Sequence, residues 1–163
     1  MINPAVLLLD EPLSNLDAKL RVQMREEIKD LQKRLGITTI YVTRDQEEVM
    51  SVSDRIAIQN HGTVMQIGHP LDIYNVPQNV FIATFMGRGT LLDGDVTRVD
   101  PDVTMEIGNI ELIGNDSTGR IKAGDRASCI IRPDSYEVKQ PDEPSNVMKG
   151  IVEWTSFIGP YTE

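Results

Sequence analysis

The sequence predicts an α/β half followed by a small all-β half, and three observations carry that expectation. Short apolar runs at residues 6–9 and 37–42 alternate with helical periodicity as far as Gly87. Beyond Gly89 the pattern changes to strand-like stretches separated by turn residues. The charge divides at the same place: residues 1–88 carry 9 Lys+Arg against 11 Asp+Glu, and residues 89–163 carry 7 against 14, within a net charge of −9.

Taken in order, residues 6–9 are apolar on both faces, as in a parallel strand covered by helices on each side. A helix is predicted from about 18 to 35, because Leu20, Met24, Ile28, Leu31 and Leu35 fall on one face. Asp17 is placed to cap its start and Gly36 to end it. Residues 37–42 form a second buried strand, rich in β-branched side chains. Thr43 and Gln46 have capping-box spacing for a short helix through Val52. Residues 56–59 and 63–67 flank Asn60-His61-Gly62 and predict a hairpin. Pro70 and Pro77 each suit the first turn of a short helix, the second ending at Gly87. In the second half, strands are expected at 91–99, 103–107, 110–113, 126–131, 136–139 and 147–155, with turns such as Gly108-Asn109 and Gly124-Asp125 between them. That spacing predicts a small antiparallel barrel.

Composition narrows the function classes. At 40% hydrophobic and 25% charged, the chain reads as a soluble globular protein. No apolar run approaches the roughly 20 residues of a membrane-spanning helix, and no signal-peptide pattern opens the sequence. Cys129 is the single cysteine, which excludes an internal disulfide, fits a reducing compartment and reads as a small buried apolar residue. The acidic second half, with 8 aromatic residues in the whole chain, is a poor match for nucleic acid.

The chemistry concentrates in Leu7-Leu8-Leu9-Asp10-Glu11-Pro12. A buried strand delivers two adjacent carboxylates to its C-terminal end, where ligands of open α/β sheets bind. One hard carboxylate can hold Mg²⁺ through water, and its neighbour, pointing the other way, can orient or deprotonate an attacking water. Asp-Glu alone at a strand end would be unremarkable. Here Ser14-Asn15-Leu16-Asp17 follows at once, and the next buried strand runs into Tyr41-Val42-Thr43-Arg44-Asp45-Gln46-Glu47-Glu48.

This order resembles the ATPase subunits of ABC importers, in the subgroup serving sugars, glycerol phosphate, polyamines or ferric iron. Residues 7–12 resemble the Walker B strand, 14–17 the D-loop between paired subunits, and 43–46 the switch segment. The resemblance continues through Ser53-Asp54-Arg55-Ile56, Gln66-Ile67-Gly68, Asp72-Ile73-Tyr74 and Phe85-Met86-Gly87, and so covers essentially the whole chain. It implies that residues 1–88 are the C-terminal part of a P-loop NTPase-type ABC ATPase core. Residues 89–163 would be an OB-like regulatory barrel of the TOBE kind, reading as cut short at 159–163. By the same resemblance Asp10 is the magnesium-side carboxylate, Glu11 the general base or water-positioning residue, and Asp17 the contact to a facing subunit. The implied cofactors are ATP and Mg²⁺. The implied partners are a second ATPase subunit, transmembrane permease subunits and, indirectly, an extracytoplasmic solute-binding protein, with the subunit peripheral on the cytoplasmic face of the membrane. Nucleic acid is not among them.

Two departures qualify the resemblance. The 163 residues contain no Gly-x-x-x-x-Gly-Lys-[Ser/Thr] and no Leu-Ser-Gly-Gly-Gln-like segment, so the chain alone is expected neither to bind nor to hydrolyse ATP. Arg44 stands where the family's switch segment carries histidine; arginine donates hydrogen bonds but cannot accept one, so the relay is expected to be impaired. Glu47 and Glu48 read as first-turn helix charges without catalytic duty, and His61 and His69 as solvated turn residues. With part of the family's sheet absent, strands 6–9 and 37–42 are expected to expose edges and one face, favouring pairing with another chain. The alternatives to an importer-ATPase fragment are a non-catalytic pairing or regulatory module, or a degraded reading frame.

Overall fold

A computed structural model describes residues 4–116, 119–137 and 146–149, together with 151, 153, 155, 157–158 and 161–162. The chain divides into two compact units, Met1–Gly89 and Thr90–Glu163.

In the first unit, β1 (Val6–Asp10) and β2 (Thr38–Val42) pair in parallel, in register from Val6↔Thr38 to Asp10↔Val42. Parallel neighbours require a crossover, and α1 (Ala18–Leu35) supplies it. The helix begins and ends where its caps dictate. Asp17 accepts a hydrogen bond from the Leu20 amide at 2.9 Å, and Gly36 takes the left-handed conformation at φ 61°. Leu7 and Leu9 share an apolar cleft with Ile28, Leu31 and Leu35 of the helix. The opposite strand face is open: Leu8 is 65% and Ile40 52% exposed, with Val6 and Val42 beside them. This is the exposed face expected with part of the family's sheet absent; the burial on both faces suggested by the apolar runs alone does not form. The helix α1 itself has no fully buried residue.

Beyond β2, α2 (Gln46–Val52) is capped by Asp45 rather than by Thr43: Asp45 Oδ1 accepts from the Glu47 and Glu48 amides, while Thr43 Oγ1 accepts from the Asp45 amide. The hairpin forms as β3 (Ile56–Asn60) and β4 (Thr63–Gly68), joined through His61 and Gly62, both at positive φ, as a two-residue turn requires. Pro70 opens α3 (Pro70–Asn75) as expected. By contrast, α4 (Val80–Phe85) starts after Asn79, whose side chain accepts from the Ile82 amide, so Pro77 lies in the connection before the helix. The unit's core sits here: Ile56, Ile58, Ile73, Ile82 and Met86 are buried together, flanked by Val49, Met50, Met65 and Phe81. Gln66 is buried at its edge, donating to the Val76 carbonyl and accepting from the Gln78 amide, which ties β4 to the α3–α4 connection.

The second unit is an antiparallel sheet in the order β7-β6-β5-β8, built from β5 (Thr90–Arg98), β6 (Val103–Ile107), β7 (Ile110–Gly114) and β8 (Arg126–Ile131). Val96, Met105 and Leu112 are its buried apolar residues. Gly94 is required where β5 meets β6: a Cβ there would lie 2.6 Å from the Glu106 carbonyl oxygen. Four of the six expected strands are thus present, as an open sheet rather than a closed barrel. Pro133–Ser135 is a single 3-10 turn, and the described residues of the expected strands 136–139 and 147–155 are not in strands; the others lie outside the described residues. A short antiparallel pair, β9 (Phe157–Ile158) and β10 (Tyr161–Thr162), follows. Cys129 is half-buried, and burial pushes its thiol pKa up, as suits a packing residue rather than a nucleophile.

Candidate functional site

Parallel pairing brings the C-terminal ends of β1 and β2 to one rim, and Asp10, Glu11 and Arg44, three of the four residues singled out from the sequence, lie on or beside it. Asp10, the last residue of β1, is exposed opposite Val42. Glu11 follows with φ 42°, a conformation that a non-glycine residue adopts at a cost and that concentrates at functional sites. Its backbone is held there from both sides, because the Glu11 amide donates to the Val42 carbonyl at 2.8 Å and its carbonyl accepts from Ser14 at 3.2 Å. The chain thus turns sharply after Asp10. Asp17 lies six residues further on, at the start of α1; its side chain is used as the helix cap.

Arg44 reaches this rim from the other strand. Its Nε donates to Glu11 Oε1 at 3.0 Å, with the Arg44 side chain 91% exposed. Such a pair is worth little in water and opens easily, yet it places a permanent cation against the carboxylate expected to act as base. Among the described residues no group of three or more His, Cys, Asp or Glu side chains is poised around a metal position. One carboxylate or two at a strand end is nonetheless a donor set suited to Mg²⁺, which takes most of its other ligands from water and phosphate.

Two features behind the rim have no signal in the sequence pattern. Glu48 lies in the first turn of α2, as expected, yet is only 2% exposed; its Oε2 accepts from the Tyr41 hydroxyl at 2.9 Å. Burial and then this hydrogen bond push the Tyr41 phenol pKa well above its ordinary value. On α1, Arg21, Arg25 and Lys29 recur at helical spacing and all reach towards α2. They bind Asp45 Oδ2, Glu47 Oε2 and the Ser51 carbonyl at 3.3, 3.1 and 2.6 Å. His61 and His69 are exposed, as expected.

No protein-family model matches the chain. Individual proteins do. The chain is 42% identical over 159 residues to the Fe(3+) ions import ATP-binding protein of Fusobacterium nucleatum, covering 98% of this chain and 42% of that protein. It is 41% identical over 165 residues to the spermidine/putrescine import ATP-binding protein of Thermotoga maritima, covering 98% and 45%. The corresponding Legionella pneumophila protein is 46% identical over 136 residues, covering 83% and 37%. The chain is homologous to ATP-binding subunits of ABC importers. It spans less than half the length of these relatives. Within this importer-subunit homologue, the aligned stretch includes the acidic rim of β1 and β2, and no described helix is long and apolar enough to cross a membrane.

Proposed function

We propose that this chain is part of the ATP-hydrolysing subunit of an ABC importer, and that these 163 residues by themselves neither bind nor hydrolyse ATP. One observation carries the reading: Asp10 and Glu11 stand at the C-terminal rim of a parallel strand pair, with the residue at the switch-histidine position in contact with Glu11. In the assembled site, Asp10 would hold Mg²⁺ through water; the ion's contribution when bound is to neutralise phosphate charge. Glu11 would orient the attacking water or accept its proton, and the turn held at its positive φ aims the carboxylate for that task. Arg44 works against it. It occupies a Glu11 oxygen and cannot accept the proton that a neutral histidine could, so it must swing away before Glu11 can act.

The remaining roles follow from the resemblance and the relatives. Asp17 would face a second ATPase subunit while capping α1. The Thr90–Glu163 unit would be the OB-like regulatory module, its described strands forming the open part of such a fold. The partners would be permease subunits and, through them, a solute-binding protein, with the subunit on the cytoplasmic membrane face. Relatives named for ferric iron and for polyamines match about equally well, so the solute is not assigned.

Calorimetric titration of the chain with Mg-ATP tests the first claim. No heat of binding is expected, and a micromolar dissociation constant would overturn it. The second claim is tested in a chimera in which this chain replaces the matching segment of the Thermotoga relative. Weak ATP turnover is expected, raised by Arg44→His and abolished by Glu11→Gln. Turnover insensitive to Glu11→Gln would refute the assignment.

A further inference from the structure

The two loops of the rim come from different strands, and one side chain behind them touches both. Arg21 lies in the first turn of α1, four residues after the Asp17 cap, where its guanidinium faces α2. Its Nε donates to the Leu16 carbonyl at 3.0 Å, and its Nη1 donates to Asp45 Oδ2 at 3.3 Å. Leu16 belongs to the turn that follows Glu11, closed by the Ser14 amide on the Glu11 carbonyl and the Leu16 amide on the Leu13 carbonyl. Asp45 directly follows Arg44 and divides its oxygens: Oδ1 caps α2, and Oδ2 takes the Arg21 ion pair. A planar fork that spends one nitrogen on a backbone carbonyl and another on a carboxylate fixes two groups at a set separation. Both polar contacts are partly shielded from solvent, whereas in the Arg44–Glu11 pair the arginine side chain is 91% exposed.

We propose that Arg21 is a positioning residue that locks the turn after Glu11 to the segment carrying Arg44, so that the two loops move as one body. That this coupling serves nucleotide turnover rests on the functional reading above; the coupling itself rests on the geometry alone. Opening of the 11–17 turn should therefore depend on the charge at Asp45, and only while Arg21 is present.

Hydrogen exchange on the chain without nucleotide tests the coupling separately from the ATPase reading. The reporters are the Ser14 and Leu16 amides, with the β3–β4 hairpin amides as a control for global loosening. Asp45→Asn keeps the cap acceptor and removes the charge. It should speed exchange at Ser14 and Leu16 by about threefold, the size of a partly exposed ion pair. In an Arg21→Met background the same change should add nothing. Arg21→Lys keeps the aliphatic stem and the charge but has no second fixed nitrogen, and should exchange like Arg21→Met. The proposal is overturned if Asp45→Asn leaves the turn unchanged or acts equally without Arg21. It is equally overturned if lysine restores protection or the hairpin accelerates to the same extent.

Discussion

Replacing Tyr41 with phenylalanine should destabilise the first unit far more than the loss of one oxygen from a half-exposed ring suggests. The hydroxyl donates to Glu48, a carboxylate with 2% exposure, and a buried acceptor deprived of its donor cannot recover the bond from water. A hydrogen bond to a charged group contributes about 1.5–3 kcal/mol, so Tyr41→Phe should cost about 2 kcal/mol. For a unit of this size that is a fall in Tm of roughly 10 °C. Helix circular dichroism during urea unfolding reports on this unit, since the four α-helices among the described residues lie in Met1–Gly89. The slope with denaturant should stay constant while the midpoint falls. Pairing Tyr41→Phe with Glu48→Leu should give a double variant more stable than the sum of the singles predicts, by about 1–2 kcal/mol. The pH dependence has a definite sign. The folded phenol pKa is raised, so this contribution is fully present below the ordinary value of about 10 and fades as pH rises beyond it. The gap between wild type and Tyr41→Phe should therefore narrow between pH 9 and pH 11, by about 0.5–1 kcal/mol after allowing for solvent screening of the ring. A Tyr41→Phe cost under about 0.5 kcal/mol, or strictly additive singles, would refute the buried-acceptor argument.

Other outcomes follow from particular contacts. Gly94→Ala should force β5 and β6 apart, because the added Cβ meets the Glu106 carbonyl oxygen at 2.6 Å and Ile107 Cγ1 at 2.7 Å; amide exchange in these strands should show a loss of about 1–3 kcal/mol. Gln66→Leu should strand the Val76 carbonyl and the Gln78 amide and cost about 1–3 kcal/mol in thermal melting, with Gln66→Glu recovering only the acceptor half. The open face of β1 and β2 should make the chain self-associate, so sedimentation velocity should show mass rising with concentration, reduced by Leu8→Thr with Ile40→Thr. A wild-type monomer at every concentration would remove that expectation.

How far the sequence could be read depended on whether a feature was local. The bounds of α1 matched because its apolar spacing, Asp17 and Gly36 are all written within one helix length. The hairpin matched because Asn60-His61-Gly62 permits the positive φ values that its turn needs. The placement of Asp10 and Glu11 at a strand end was legible for the same reason: one apolar run and one proline define it. Caps were harder where two candidates competed. Thr43 and Asp45 both suit the position, and Asp45 serves as cap because its carboxylate reaches two amides and an arginine together. The burial of Glu48 was not legible, because its partner Tyr41 comes from the preceding strand, a pairing that no periodicity encodes. The strand expected at 126–131 matched, and Pro133 starts a 3-10 turn directly after it, beyond which the described residues of the strand expected at 136–139 are not in a strand.

The exposed sheet face and the acidic rim are separable problems for this chain. The rim is arranged by the Glu11 amide on Val42, by Arg21 on Leu16 and Asp45, by Arg25 and Lys29 along α2, and by Tyr41 on Glu48. None of these contacts uses the side chains of Val6, Leu8, Ile40 or Val42, which form the open face. Whatever covers that face therefore adds apolar burial to β1 and β2 without having to reposition Asp10, Glu11 or Arg44. It follows that an added phosphate-binding segment would meet a rim whose geometry is already set by α1 and α2. If the proposed reading holds, turnover would then be limited by phosphate binding and by the Arg44–Glu11 pair, rather than by the fold of the residues that carry the carboxylates.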